Sequence, residues 1–196
     1  MKNAPDCNLI SNLIWEENAN STVFTTPIFK VEQSLCTSPN GKQSNFTLIN
    51  APDWVTVLPQ FCKNGKNHFL MVRQWRHGQK SISVEFPGGV IDAGETPEQA
   101  ARRELLEETG CTANNLVYLG YQNPNSAFMK NKTHFFAASE LCQTNAQNLD
   151  ETEFLNAFLV SAKEVFENMG SGEYHHALMS SALFMFIQKY GVDFCK

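Results

Sequence analysis

Residues 89–111 read GVIDAGETPEQAARRELLEETGC and join a glycine turn to a single predicted helix. Thr96 is a good N-cap residue, Pro97 suits the first helical position, and Gln99 completes a Thr-x-x-Gln capping box. Gly110 ends the helix, because glycine readily adopts the left-handed backbone found at helix C-termini. The segment therefore predicts a helix between these start and stop signals.

Three carboxylates crowd one face of this helix. At about 100° per residue, Glu104 and Glu108 lie about 40° apart, and Glu107 falls about 60° to the other side of Glu104. Like charges four residues apart repel by a few tenths of a kcal/mol, so the arrangement opposes helix stability. One interpretation is a solvated acidic face that Arg103 partly neutralises. The other is a site for a hard cation such as Mg²⁺, which prefers carboxylate, phosphate and water oxygens.

The spacing of the glycines and charges favours the second interpretation. Gly89 is followed after five residues by Glu95, after seven more by Arg103-Glu104-Leu105, and then by Glu107-Glu108 and Gly110. This pattern resembles, without a gap, the signature box of the Nudix hydrolases, enzymes that cleave nucleoside diphosphates linked to another moiety. The resemblance implies an α/β fold, the Nudix α/β/α sandwich with a mixed sheet. The box (residues 89–111) implies the chemistry and the fold, and not the substrate.

The resemblance also implies which residues serve the chemistry. Two or three Mg²⁺ ions, with Mn²⁺ as an alternative, would be held by Glu104, Glu108, Glu107 and the carbonyl of Gly88. Such ions neutralise phosphates and lower the pKa of a bound water. Arg103 would orient Glu107, which lies four residues further along the helix. Glu107 is also one of two candidates for the general base.

The strand and loop before the box carry a second resemblance. Arg73-Gln74-Trp75-Arg76, followed by Glu85-Phe86-Pro87-Gly88-Gly89, is similar to the Arg-Gln-Tyr-Arg and Glu-x-Pro-Ala-Gly-Gly pattern of the ADP-ribose pyrophosphatase branch. In that branch the second arginine and the glutamate help to hold the substrate, which implies this role for Arg76 and Glu85. From residue chemistry alone, an arginine such as Arg76 is more often a surface cation or a carboxylate partner than a phosphate-binding group. The branch commonly has a proline about fifteen residues after the box, whereas Pro124 follows Cys111 by thirteen.

An acidic cluster at residues 150–153 supplies the other candidate base. As a bare charge run it would be a solvated loop. In composition and position it resembles the acidic loop that brings a catalytic glutamate over the metals in ADP-ribose pyrophosphatases. The resemblance implies that Glu151 is the general base, with Glu107 as its competitor, and that Glu153 adds a metal contact.

The N-terminal region, residues 1–50, is predicted to form a small antiparallel sheet before a hydrolase domain at residues 51–196. Thr22–Val31 and Asn45–Asn50 flank a turn sequence at Ser38–Lys42, which indicates a hairpin. In the ADP-ribose pyrophosphatase branch this sheet commonly exchanges between subunits, so we expect a homodimer. The aromatic residues that could stack on a nucleotide base are Trp15, Phe29, Phe46 and Trp54.

Downstream of the acidic cluster, the sequence predicts a C-terminal helix of about Tyr174 to Tyr190. Apolar residues recur four apart along it, which indicates core packing. His175 and His176 at its start are expected to be caps or surface residues and not metal ligands, since they point in different directions from one helix.

Composition limits the partners. The 196 residues carry a formal charge of −5, which argues against a broad nucleic-acid surface. The amino terminus lacks a basic start before an apolar run, and later apolar runs are too short to span a bilayer. Six cysteines without close pairing or Cys-x-x-Cys spacing suggest reduced thiols. We expect a cytoplasmic protein that acts on a small molecule, with no nucleic-acid or membrane partner.

Three functions stay open at this stage. The first is hydrolysis of a nucleoside diphosphate sugar, with ADP-ribose leading and AMP and ribose 5-phosphate as products. The second keeps the chemistry but changes the substrate to a dinucleoside polyphosphate, a coenzyme A derivative or an oxidised nucleotide. The third is a non-catalytic nucleotide-binding Nudix module, which the complete set of box carboxylates disfavours.

Overall fold

The computed structural model describes residues 10–144, 147–149 and 154–195, and it divides into two compact units. The first unit contains the described residues up to Pro52 together with Asn123–Asn131. The second contains Asp53–Gln122 and the described residues from Lys132 onward. The segment Asn123–Asn131 thus groups with the N-terminal region, although it is distant in sequence.

The first unit contains an antiparallel sheet with strands in the order β1 (Glu16–Thr25), β2 (Lys30–Thr37) and β3 (Gln43–Asn50). The predicted hairpin around residues 38–42 is confirmed, since Thr37 pairs with Gln43. The prediction of one strand from Thr22 to Val31 is wrong. The Thr26 hydroxyl accepts from Phe29 N at 2.9 Å, and this bond closes a turn between β1 and β2.

The second unit is built on a mixed sheet. Its strands are β4 (Trp54–Lys63), β5 (Lys66–Arg76), β6 (Ser81–Glu85), β7 (Cys111–Gln122), β8 (Thr133–Gln143) and β9 (Leu155–Ser161). The order is β6-β5-β4-β8-β7, and β9 pairs with β5. β4 runs parallel to β8 and antiparallel to β5. As predicted, β4 and β5 meet at a tight turn, where Asn64 and Gly65 have φ angles of 54° and 73°, as hairpin turns of this kind require.

Helices cover both faces of this sheet. They are α1 (Pro97–Thr109), α2 (Ala162–Asn168) and α3 (Ala177–Tyr190). Successive residues of a strand point to opposite faces. Accordingly, Val57 belongs to the core cluster that contains Leu105 of α1, whereas Leu58 belongs to the cluster that contains Phe186 of α3. The predicted α/β/α sandwich with a mixed sheet is confirmed.

The C-terminal helix begins later than predicted. A short 3-10 helix, Gly172–Tyr174, precedes α3, and the His176 side chain caps the first turn of α3. Within the described residues, no helix has the length and apolar character needed to cross a membrane. The four cysteines whose side chains are described, Cys36, Cys62, Cys111 and Cys142, are free thiols.

Candidate active site

The capping signals of the sequence set the limits of α1 as predicted. Gln99 N donates to Thr96 Oγ1 at 3.2 Å, and Thr96 N donates to Gln99 Oε1 at 2.8 Å, which completes the capping box. Gly110 adopts a left-handed φ of 70°, and its N–H bonds Leu106 O at 2.8 Å. Both ends of the helix are therefore held, and so is the orientation of its acidic face.

Arg103 gathers three carboxylates around one guanidinium. Its Nε and Nη2 each donate to Glu95 at 2.9 Å, one to each carboxylate oxygen. Its Nη1 donates to Glu104 Oε1 at 2.8 Å and to Glu107 Oε2 at 3.0 Å. These hydrogen bonds from Arg103 hold the pKa of Glu95 below its ordinary value. The crowding that opposes helix stability in the sequence is thus offset by one cation placed among the acids.

The glycine turn lies directly against this acidic face. Gly88 N donates to Glu108 Oε2 at 2.8 Å. A Cβ atom added at Gly89 would lie 2.5 Å from Glu104 Oε1, and one added at Gly88 would collide with the backbone oxygen of Val55. Residues here must be glycine because the backbone passes within contact distance of two carboxylates and of β4.

The donor set suits a hard divalent cation. Glu104 and Glu108 are only 8% and 3% exposed, and together with Glu107 they place three carboxylates on one face of α1. Within the described residues, no three His, Cys, Asp or Glu side chains form a ready-made metal cage. Mg²⁺ does not require one, because it commonly binds through one or two carboxylates and keeps waters and substrate phosphates. The residues present therefore fit Mg²⁺, and the assignment of Gly88, Glu104, Glu107 and Glu108 as its ligands stays a prediction.

Arg76 and Glu85, both predicted as substrate contacts, bind each other. Arg76 Nε and Nη2 donate to the two oxygens of Glu85 at 2.7 and 2.6 Å. Glu85 is only 2% exposed. Its burial alone would raise its pKa, but the hydrogen bonds and charge of Arg76 outweigh burial and hold the pKa below the ordinary value. Arg76 is thus a carboxylate partner, as its residue chemistry suggested. Its contact with substrate stays a prediction.

The acidic cluster, residues 150–153, lies outside the described residues. Glu151 and Glu153, predicted as general base and metal contact, belong to that part of the chain. The described residues just before the cluster are attached to the end of α1. Asn148 N donates to Glu107 O at 2.9 Å, and the Gln147 side chain donates to Glu108 O. Gln147 and Asn148 are therefore held at the C-terminal end of α1.

A cleft of about 730 Å³ lies at the end of β5, lined by Trp75, Arg76, His77, Gly78, Gln79, His175, His176 and Ala177. His176 is the N-cap of α3, as the sequence suggested: Leu178 N donates to its Nδ1 at 3.2 Å. The box pattern includes Glu95 without a role, whereas in the structure Glu95 binds Arg103, eight residues further along the chain. Helical periodicity does not reveal this contact, because Glu95 lies before the helix that carries Arg103.

The aromatic residues proposed to stack on a base differ in exposure. Trp15 and Phe46 are 43% and 41% exposed. Their rings meet edge to face, with centroids 5.1 Å apart, in the first unit. Phe29 and Trp54 are partly buried. The first pair thus offers the larger accessible aromatic surface.

Comparison with known proteins identifies relatives. Residues 55–179 match the model of the NUDIX domain. The chain is 33% identical over 146 residues to the ADP-ribose pyrophosphatase of Bacillus subtilis, covering 74% of this chain and 77% of the relative. It is 29% identical over 157 residues to the methanol dehydrogenase activator of Bacillus methanolicus, covering 79% and 83% of the two chains. A crystal structure of an ADP compounds hydrolase superposes with a TM-score of 0.78 at 25% identity, covering 91% and 97%.

Proposed function

Because this chain belongs to the Nudix family and is a Nudix pyrophosphohydrolase, we propose that it hydrolyses the diphosphate linkage of a nucleoside diphosphate sugar. ADP-ribose is the leading substrate, and AMP and ribose 5-phosphate are the products. The observation that carries the proposal is the arrangement of the box carboxylates: Glu95, Glu104 and Glu107 surround Arg103, and Glu108 accepts from Gly88 N beside them. The names of an ADP-ribose pyrophosphatase and an ADP compounds hydrolase among its relatives support the choice of substrate.

We propose that Mg²⁺ is held by Glu104, Glu107, Glu108 and the carbonyl of Gly88, with Glu153 adding a contact. Mn²⁺ is an alternative for the same oxygen ligands. When bound, the metal supplies neutralisation of phosphate charge and a lowered pKa for a water. Arg103 would position Glu104 and Glu107, because its Nη1 donates to both carboxylates. Glu95 accepts from Nε of the same guanidinium and so fixes its orientation.

Glu151 is the proposed general base, and Glu107 is its competitor. Glu107 accepts a hydrogen bond from Arg103 at 3.0 Å, so one of its oxygens is already engaged by the guanidinium. This favours Glu151 as the group that takes the proton from the attacking water. The tie of Asn148 to Glu107 supports an approach of the acidic cluster to α1.

On the substrate side, we propose that Arg76 and Glu85 bind as a unit. Glu85 stands three residues before Gly88, so their Cα atoms are at most about 11 Å apart. A diphosphate held at the box can therefore extend toward the ion pair. Glu85 fixes the guanidinium plane, and the guanidinium supplies the positive charge that phosphate recognition uses.

The protein is further proposed to act as a homodimer that exchanges its N-terminal sheet. Strand β1 is exposed along its whole length and lies at one edge of the first unit's sheet. Val23, Phe24 and Ile28 are 55%, 62% and 70% exposed. An exposed edge strand with apolar side chains readily pairs with another chain. Sedimentation at micromolar concentration tests this, and a monomer would contradict it.

A panel of substrates separates this function from its alternatives. ADP-ribose, other nucleotide sugars, a dinucleoside polyphosphate, a coenzyme A derivative and an oxidised nucleotide would each be incubated with Mg²⁺, and the products resolved by chromatography. The proposal predicts the highest kcat/KM for ADP-ribose. A higher kcat/KM for another class of compound would assign that class as the substrate. No turnover of any compound would indicate a binding module.

A further inference from the structure

Two consecutive histidines line the cleft at the end of β5, and the backbone fixes their rings in opposite ways. The Nδ1 atom of His176 meets an N–H group, that of Leu178, at 3.2 Å. The Nδ1 atom of His175 meets a carbonyl group, that of Gly172, at 2.8 Å. Because N–H groups only donate and carbonyl oxygens only accept, these contacts decide where each neutral ring carries its proton.

For His176 the tautomer follows directly. Its Nδ1 must accept from Leu178 N, so the proton of the neutral ring is on Nε2. Burial lowers the pKa of His176, against the opposing charge of Glu85, which favours the neutral ring. With Nδ1 used in the helix cap, Nε2–H is the polar group that His176 can present to a ligand in the cleft.

For His175 the assignment is reversed. Its Nδ1 must donate to Gly172 O, which leaves the lone pair of the neutral ring on Nε2. His175 therefore presents a hydrogen-bond acceptor where His176 presents a donor. Both residues line the same cleft with Trp75 and Arg76.

We propose that this cleft is a sugar subsite, in which His176 Nε2–H donates to one hydroxyl of a vicinal diol and His175 Nε2 accepts from its neighbour. Each hydroxyl is both a donor and an acceptor, so a diol can satisfy the fixed pair simultaneously. Trp75, 47% exposed, offers an apolar face for the C–H side of the ring.

A sugar suits the cleft better than a nucleotide base. A base usually stacks on aromatic side chains, and Trp75 is the one aromatic carbocycle among the lining residues described. Most of the other lining side chains are polar. The volume of about 730 Å³ lies in the range of small-molecule sites, roughly 300–1,000 Å³.

The inference rests on the proposed function, since it assigns the non-nucleotide half of the substrate to this cleft. Arg76 lines the cleft and binds Glu85, which precedes the glycine turn at the box. A sugar in the cleft would thus be joined through its phosphate to the site where the diphosphate is cleaved. The ring nitrogens would act on substrate orientation, and not on the bond that breaks.

The test compares two substrates across paired variants of the full-length protein. The substrates are ADP-ribose and an analogue whose distal ribose lacks the vicinal diol. In His176→Asn the amide oxygen can still cap α3, but the Nε2 donor is gone. In His175→Asn the amide can still donate to Gly172 O, but the Nε2 acceptor is gone. His176→Gln restores a donor at the position of Nε2.

We expect the wild type to prefer ADP-ribose over the analogue by about 10–100-fold in kcat/KM, the range for a lost substrate hydrogen bond. Both Asn variants should lose most of this preference while cleaving the analogue at nearly the wild-type rate. His176→Gln should regain part of the preference. A matched control is His68→Asn, because His68 Nδ1 also meets a carbonyl, Lys66 O at 3.0 Å, on β5 outside the cleft; it should keep the full preference.

Three outcomes would overturn the sugar subsite. One is an equal loss of kcat/KM for both substrates in the Asn variants. Another is a preference for ADP-ribose over the analogue that these variants leave unchanged. The third is a preference that depends on the base, seen when the adenine of ADP-ribose is replaced by guanine. In each case turnover of ADP-ribose by the wild type would leave the proposed function standing. Failure of the proposed function would be a different result, because the wild type would then hydrolyse no nucleoside diphosphate sugar.

Discussion

Arg103 and Glu95 are joined at two points, with Nε and Nη2 each 2.9 Å from one oxygen of the carboxylate. Two-point pairs of this kind fix the plane of the guanidinium as well as its position. Glu95 precedes the helix, whereas the other two partners of Arg103, Glu104 and Glu107, belong to it. The loop before α1 therefore sets where the helix carboxylates lie.

Replacing Arg103 by Lys should lower kcat for ADP-ribose by about 10–100-fold, the usual effect of removing a residue that orients metal ligands. An ammonium group cannot hold Glu95 at two points and reach the other two acids. Steady-state kinetics across a Mg²⁺ titration would measure the loss, which saturating Mg²⁺ should only partly restore.

The neighbouring Arg102→Lys variant is the matched control. Arg102 binds Glu98 on the exposed side of α1, with side chains 46% and 59% exposed, and surface pairs contribute about 0–1 kcal/mol. Its activity should match the wild type. Equal kcat values for the Arg103 and Arg102 variants would refute the positioning role of Arg103.

Replacing Gly89 by Ala should reduce activity more than stability. The new Cβ would lie 2.5 Å from Glu104 Oε1, so the flexible carboxylate must move away from its place beside Arg103. Gly88→Ala should instead lower the thermal midpoint, because its Cβ would meet the backbone of Val55, which cannot move as easily. Kinetics and thermal unfolding of both variants test the contrast. A lower thermal midpoint for Gly89→Ala than for Gly88→Ala would contradict this expectation.

The general base can be identified by charge removal at two positions. Glu151→Gln should lose most of the rate while keeping KM within a few-fold, since Glu151 is proposed to act on the attacking water and not on the substrate. Glu107→Gln should lose less, and its loss should depend on Mg²⁺ concentration. A small effect at Glu151 beside a large one at Glu107 would transfer the role to Glu107.

Much of this site follows from sequence because its signals are local. The capping box of Thr96 and Gln99 and the stop at Gly110 lie within one helix, and the structure has all three as predicted. The strand predicted over Thr22–Val31 failed because the Thr26 turn interrupts a β-rich run. Hydrophobic periodicity depends on which side chains are apolar, whereas this turn depends on a hydrogen bond between the Thr26 hydroxyl and the backbone.

Contacts between distant elements could not be predicted in the same way. The pairing of Arg76 with Glu85 requires β5 and β6 to be adjacent and in register, with Arg76 opposite Ser81. The approach of Gly88 to Glu108 requires the box loop to lie along β4, where Val57 N bonds Pro87 O at 2.8 Å. Both contacts depend on tertiary packing, which the spacing of residues along the sequence does not reveal.

The N-terminal unit should lose stability in acid through Glu32. Its carboxylate accepts from Asn50 at 2.6 Å and from Lys130 at 2.9 Å. Chiefly the Asn50 hydrogen bond, followed by that of Lys130, lowers the pKa of Glu32 from 4.5 to about 2. A lowered pKa stabilises the folded state above pH 4.5, and this contribution is lost as the pH falls toward 2.

Glu32→Gln should therefore reduce the unfolding free energy by about 1–2 kcal/mol at pH 7, and the difference from the wild type should shrink below pH 4.5. Denaturant unfolding at several pH values measures it. Glu16→Gln, at an exposed position at the start of β1, should show no such difference. A deficit for Glu32→Gln that stays constant down to pH 2 would exclude a role for its ionisation.

The central claim is that the box carboxylates carry a metal-dependent cleavage of the diphosphate in ADP-ribose, and Glu108→Gln tests it most directly. Glutamine can still accept from Gly88 N through its amide oxygen, so the fold should be retained while one ligand charge is lost. The measurement is the rate of AMP and ribose 5-phosphate formation, with Mg²⁺ and with a chelator, at matched thermal midpoints. We predict equal amounts of the two products from the wild type with Mg²⁺, none with the chelator, and a rate about 10²–10³-fold lower in Glu108→Gln. Wild-type turnover by a folded Glu108→Gln variant, or turnover that survives the chelator, would contradict the claim.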